Sequence, residues 1–299
     1  VSAAARDPDN SYPEALRLSV ERYLERLRFS DDALTDGLQE AMRYSLLAPG
    51  KRIRPVLALA TARAIGCEAE EMMPIAAALE LIHTYSLIHD DLPAMDDDEM
   101  RRGRPTCHVA FGEDVAILAG DGLYAEAFRH VLEHQRSAPE RVVAAVATLA
   151  AATGVGGMVG GQYLDISGGA QSGPEGLRHL HELKTGRLIV ASVECVLILG
   201  GATESVTMAL RRFAAELGVL FQIVDDILDV TGTDDALGKP SGSDERHGKR
   251  TYVSEYGLDG ARDLAAESYA RAREALADAA PSGAAELEQI TSFTYTRTS

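Results

Sequence analysis

The stretch His89-Asp90-Asp91-Leu92-Pro93-Ala94-Met95-Asp96-Asp97-Asp98-Glu99-Met100-Arg101-Arg102-Gly103-Arg104 packs six acids into the ten residues 90–99 and follows them at once with arginines. Two like charges about 4 Å apart repel by roughly 4 kcal/mol at an effective dielectric near 20, so converging aspartates must bind cations or take up protons. Hard carboxylate oxygens favour Mg²⁺, Mn²⁺ or Ca²⁺ over zinc. Mg²⁺ joins a few carboxylates to substrate phosphates, and the planar forks of arginine match phosphate oxygens. The segment therefore points to a phosphorylated ligand held with metal, rather than to a metal store.

Working outward, an apolar helical run precedes the acids, with His83, Leu87, Asp90 and Asp91 on one face at i, i+4, i+7 and i+8. Asp96 follows Pro93 and must fold back to join them. A second cluster, Asp225-Asp226-Ile227-Leu228-Asp229, sits on another apolar run. There Gln222, Asp225, Asp226 and Asp229 fall at helical spacings on one side, with Phe221, Val224, Ile227 and Leu228 left for packing. Acidic stripes on amphipathic helices are common, and most charge runs are solvated loops. Two clusters accompanied by cations make the shared metal site the better reading.

Composition agrees with a helical scaffold. Of 299 residues 46% are hydrophobic, aromatics are 5% and Trp is absent, a balance that favours helix over sheet and excludes disorder. Helical spacing is readable over 13–28, 31–47, from Pro55 to about 65, and over about 71–91, 113–135, 138–164, 174–199, 203–230 and 258–279. The glycine-rich 154–161 segment reads as strained helix. No alternating strand pattern of useful length occurs, and no Gly-rich loop follows a strand, so Rossmann and P-loop readings fail. Residues 1–12 are polar and expected to be flexible, and 231–250, rich in Gly, Asp, Lys and Ser, is the expected lid. No linker divides the chain, so residues 1–299 are expected to form a single domain.

The formal charge of −17 argues against broad electrostatic binding of nucleic acid or anionic membrane. A polyanionic substrate must then meet local cations. Lys51, Arg52 and Arg54 lie just before a helix starting near Pro55, where backbone N–H groups also favour anions. Lys184-Thr185-Gly186 interrupts a long helical run with a cation, a hydroxyl and a helix-weakening glycine. Lys239 and Lys249 fall in the expected lid. Cys67, Cys107 and Cys195 are odd in number and widely spaced, against both a disulfide framework and a zinc site. No signal-peptide pattern opens the chain and charges interrupt its apolar runs, so the expectation is a cytoplasmic protein with no transmembrane segment.

These residues resemble the trans-isoprenyl diphosphate synthases. The family's first aspartate motif, DDxxxxD followed by RRG, matches Asp90-Asp91 to Asp96 and Arg101-Arg102-Gly103; its second matches Asp225 to Asp229. The match extends in order through Gly50-Lys51-Arg52-Ile53-Arg54-Pro55, Gly161-Gln162-Tyr163-Leu164-Asp165, Lys184-Thr185-Gly186, Phe221-Gln222, and Gly238-Lys239 to Gly248-Lys249-Arg250-Thr251-Tyr252. It implies a large all-α, single-domain helical bundle around a central cavity, usually a homodimer, using three Mg²⁺ ions with Mn²⁺ as a substitute. Asp90, Asp91, Asp96, Asp225 and Asp229 would hold metal against an allylic diphosphate. Arg101, Lys184, Lys239 and Lys249 would grip that diphosphate. Gly50, Lys51, Arg54, His83 and Arg102 would hold isopentenyl diphosphate. Thr185 and Gln222, with Lys184, would act at the reacting carbon, and Mg²⁺-dependent prenyl transfer with release of pyrophosphate is the implied activity.

Product length is implied by geometry along the helix that carries Asp90. At 1.5 Å rise per residue, Tyr85 lies roughly 7–8 Å below the carboxylates. Its ring would floor the tunnel, with Ser86 beside it. The pattern His83-Thr84-Tyr85-Ser86-Leu87-Ile88-His89 and the inserted Pro93-Ala94 resemble bacterial farnesyl diphosphate synthases, so a fifteen-carbon product is expected. The twenty-carbon geranylgeranyl product is the alternative. A class I terpene cyclase needs only one diphosphate and would not explain the knot at Lys51 and Arg54; a non-catalytic partner subunit would not keep both acidic motifs.

Overall fold

The computed structural model describes residues 12–169, 172–232, 249–279 and 284–297. Its centre is α4 (Met73–Asp90), buried from Met73 to Ile82 with Glu80 as the single charged side chain of that stretch, and opened by a proline in its first turn. A helix without a polar face belongs inside a bundle, and α4 is surrounded. Against it pack α1 (Glu14–Leu24), α2 (Asp36–Leu46), α3 (Ile53–Ala64), α6 (Glu113–His134) and α10 (Arg187–Gly200). A short hairpin of β1 (Met100–Arg101) and β2 (Arg104–Pro105), followed by α5 (Cys107–Phe111), connects α4 to α6. The all-α expectation holds.

The second half forms around α10 and α11 (Glu204–Thr231). α7 (Pro139–Thr153) packs on α10, and α12 (Tyr252–Ala279) runs along α11. The C-terminal ends of α4 and α11 carry the two acidic clusters and open into the same cavity. One apolar core of small and aliphatic side chains joins both halves.

Three helical readings need correction. The 138–164 run is two helices, α7 and α8 (Met158–Ser167), because Gly154 and Gly157 leave helical geometry (ψ −157° and φ −142°). The strained helix expected over 154–161 therefore exists only from Met158 onward. The 174–199 run is α9 (Pro174–His181), a π-helical turn over Glu182–Gly186, and then α10. α12 starts at Tyr252 rather than 258 and kinks at Gly257, whose φ of 72° glycine adopts without steric cost. A terminal helix, α13 (Ala285–Thr296), was not anticipated.

Residues 1–11 and 233–248 lie outside the described residues, and with them most of the expected lid, including Lys239. The stretch Pro139–Ser167 is long and apolar enough to cross a membrane by length and composition. It corresponds to the α7–α8 pair, bent at its glycines, with α7 against α10 and α8 against the π turn.

Candidate active site

At the end of α4 the chain reverses as its sequence requires. The Asp96 N–H donates to the Asp90 carbonyl (2.9 Å), and those of Met95 and Asp97 to the Leu92 carbonyl (2.8 and 3.1 Å). Asp97 takes the left-handed conformation (φ 53°) that closes this turn, returning Asp96 to the first pair. Arg101 Nε reaches both oxygens of Asp91 (2.7 and 2.8 Å). Burial is the main influence on Asp90, raising its pKa to about 6, with Lys184 opposing and Asp96 adding to the rise. This is the cost of gathering carboxylates away from water.

On α11 the three aspartates divide. Asp226 is 1% exposed and structural: Gln222 Nε2 donates to its Oδ1 (2.7 Å) and the Tyr252 backbone N–H to its Oδ2 (2.7 Å). Asp225 is largely exposed at the cavity and meets Arg297 (3.3 Å). Asp229 lines the same cavity one turn on. Lys249 pairs with Asp96 of the first cluster (2.8 Å), and Lys184 of the π-helical turn pairs with Asp165 of α8.

The π turn explains Lys184-Thr185-Gly186. One extra residue per turn re-aims side chains, and such bulges favour functional sites. Here Thr185 Oγ1 donates to Gln222 Oε1 (3.0 Å), extending the chain Thr185–Gln222–Asp226. Gly161 permits this placement. A Cβ on it would stand 2.3 Å from the Lys184 backbone nitrogen, so only glycine lets α8 approach so closely.

The basic knot gathers on the other wall. Arg102 lies over Gly50, where a Cβ would meet its Nη1 at 2.7 Å. Arg54 is half-buried in the cavity wall, and desolvation lowers its pKa to about 10. His83 is held neutral, its pKa pushed well below the usual imidazole range by burial first and then by Arg54 and Arg102. Lys51 stands over the Phe293 ring (5.2 Å), and its carbonyl accepts from the Tyr12 hydroxyl (2.7 Å). Acids, lysines and knot surround one cavity of about 940 Å³.

Below Asp90 a second cavity of about 530 Å³ shares His83, Asp90, Lys184, Thr185 and Gln222 with the first and continues past Tyr85, Ser86, Met158 and Val159. Tyr85 meets Tyr124 edge-on (5.0 Å between centroids) and His89 (5.4 Å), and Tyr124 in turn meets Phe128 (5.1 Å). Two polar walls thus lead into one apolar, aromatic-backed pocket.

Residues 35–291 match the polyprenyl synthetase family. The chain belongs to that family. It is 44% identical over 279 residues to the farnesyl diphosphate synthase of Geobacillus stearothermophilus, with 92% of each protein covered. It is 50% identical over 242 residues to a chloroplastic geranylgeranyl pyrophosphate synthase of Capsicum annuum, covering 80% of this chain and 66%, just under two thirds, of that relative. Among solved structures, a Helicobacter pylori geranyltransferase complexed with magnesium and isoprenyl diphosphate superposes with a TM-score of 0.83 at 31% identity, covering 96% of each chain. A Pyrococcus horikoshii geranylgeranyl pyrophosphate synthetase gives 0.84 at 30%, covering 95% of this chain and 98% of that one.

In this chain, Gly50, Lys51, Arg54, His83, Asp90, Asp96, Arg101, Arg102, Lys184, Thr185, Gln222, Asp225, Asp229 and Lys249 all line the larger cavity. Asp91 faces Arg101 from behind it. Sequence reasoning missed Glu80, and it named Asp165 and Asp226 in their motifs without the cations and amides they hold. Glu80 had a visible signal, a lone acid in an apolar run, since a buried charge demands a counter-charge. Arg297, at the end of α13, reaches Asp225 and the Phe221 carbonyl, a placement set by how that helix docks. Among the described residues no three His, Cys, Asp or Glu side chains converge as a closed metal cage. The donors are nonetheless all carboxylate oxygens split across two walls, which suits an ion that takes its remaining ligands from phosphate and water.

Proposed function

We propose that this protein condenses isopentenyl diphosphate with dimethylallyl and then geranyl diphosphate, releasing pyrophosphate at each step and stopping at the fifteen-carbon farnesyl diphosphate. The observation that carries the product length is the edge-on stack of Tyr85 on Tyr124 beneath Asp90. It puts a braced ring, rather than an aliphatic side chain, where a growing tail would run.

Asp90, Asp91, Asp96, Asp225 and Asp229 would hold Mg²⁺, with Mn²⁺ as a substitute. The bound metal would supply charge to stabilise the departing diphosphate. Arg101, Lys184 and Lys249 would shift from their present carboxylate partners onto the same diphosphate. As the allylic C–O bond breaks, its electron pair leaves with the diphosphate. The cation left behind faces the Thr185 and Gln222 oxygens, fixed dipoles aimed at developing charge. Gly50, Lys51, Arg54, neutral His83 and Arg102 would orient isopentenyl diphosphate so that its double bond attacks that cation, and the released pyrophosphate would take the final proton. A homodimer is supported by the exposed apolar side chains of Ile117 and Leu118 on α6 and Val143 on α7.

Incubation with Mg²⁺, labelled isopentenyl diphosphate and each allylic starter, followed by sizing of the products, tests the reading. The expected product is C15 for the wild type and longer for Tyr85→Ala. A wild-type C20 product would favour the geranylgeranyl alternative, and an unchanged length in Tyr85→Ala would remove the floor argument.

A further inference from the structure

The run Gly50-Lys51-Arg52-Ile53-Arg54 presents three cations that look equivalent in sequence, yet the structure separates them. Arg52 is 2% exposed at its side chain and is committed to the protein on several sides. Its Nη1 donates to Glu80 Oε1 (2.7 Å), its Nη2 donates to the Ala48 carbonyl (2.7 Å), and its Nε lies 3.8 Å from Glu21 of α1. Its backbone is left-handed (φ 54°, ψ 41°) immediately before α3, a conformation that a non-glycine residue holds only when its surroundings enforce it. Glu80 is equally buried, in the middle of α4.

We propose that the Arg52–Glu80 ion pair is a strut that sets Lys51 and Arg54 on the isopentenyl diphosphate site, which makes both members positioning residues. The inference rests on assigning the knot to isopentenyl diphosphate. The strut works in two ways. It fixes the turn at Arg52, from which Lys51 and Arg54 diverge along the cavity wall. It also places one carboxylate among Arg52, Arg54 and Arg102: Glu80 favours the charged form of Arg54 and Arg102, while their neighbouring arginines oppose it. Without that carboxylate the guanidinium groups repel one another and splay. A buried pair is a poor source of stability compared with apolar side chains of similar size, and removing one partner leaves an uncompensated charge. Its retention here is explained by what it orients.

Steady-state kinetics with isopentenyl and geranyl diphosphates varied separately, alongside thermal melting, tests this on Glu80→Gln, on the double variant Arg52→Met/Glu80→Met, and on Arg54→Met. The double variant removes both charges and keeps side-chain bulk, so it is expected to melt near the wild type. Both it and Glu80→Gln are expected to raise KM for isopentenyl diphosphate by about tenfold to a hundredfold, the scale of misplacing a binding group by about an ångström. KM for geranyl diphosphate is expected to stay at its wild-type value. A folded double variant with wild-type KM for both substrates, or with both constants raised together, overturns the strut. Arg54→Met with an unchanged isopentenyl KM overturns the site assignment and the strut with it.

Discussion

His130 of α6 is 6% exposed, with its Nε2 2.9 Å from the Tyr23 hydroxyl, and burial lowers its pKa to about 4. His134 and Arg129 push in the same direction and Glu133 opposes them. An imidazole whose folded pKa lies below its unfolded value near 6.5 leaves stability untouched above that pH. Below it the unfolded chain takes up a proton that the folded chain refuses. Stability then falls until about pH 4, by roughly 3 kcal/mol for a shift of this size. His130→Gln keeps a polar partner for Tyr23 and removes the titration. Urea unfolding is expected to show a shallower decline between pH 6.5 and 4 in this variant; an unchanged decline would assign the acid sensitivity to other groups. His83 follows the same logic inside the site, where a neutral imidazole adds a hydrogen-bonding group beside Arg54 without adding a further charge.

At the scale of elements, the contact between α8 and the π turn sets where Lys184 and Thr185 face the cavity. A Cβ at Gly161 would lie 2.3 Å from the Lys184 nitrogen and 2.6 Å from its Cα, both backbone atoms with little room to yield. Gly161→Ala is therefore expected to cost on the order of 1–3 kcal/mol and to lower kcat by displacing Lys184 and Thr185. Gly37→Ala in α2 has nothing within 4 Å of the new methyl group and is expected to gain up to about 1 kcal/mol from helix propensity. Melting curves and turnover rates separate the two; equal behaviour would mean that the α8 contact tolerates spreading. The same elements show what was legible. α4 and α11 were readable because apolar spacing and a terminal acid cluster coincide in them. The break at Gly154–Gly157 was not, since a helical period persists across it, and at Lys184-Thr185-Gly186 the interruption was legible but its π form was not, because tertiary contact selects it. α13 offers Leu287, Ile290, Thr291 and Thr294 at helical spacing and buried, but half of that face is threonine, so the apolar signal is thin.

Across the whole molecule, a chain of net charge −17 must, on the proposed function, attract substrates that are themselves polyanions. The structure resolves this locally by pairing cations with acids at the cavity: Arg101 with Asp91, Lys249 with Asp96, Lys184 with Asp165 and Arg297 with Asp225. In each pair a carboxylate holds a cation suited to phosphate. A diphosphate arriving with divalent metal would exchange both partners at once, metal to the carboxylates and phosphate to the cations, with little change in local charge. On the proposed function, the ends of α4 and α11 act as one clamp. Anomalous diffraction from crystals soaked with Mn²⁺ and inorganic pyrophosphate tests this. The expected result is manganese density between Asp90 or Asp96 and Asp225, bridged by pyrophosphate that also contacts Lys184. Manganese confined to one cluster, or bound at both with no pyrophosphate between them, would contradict it.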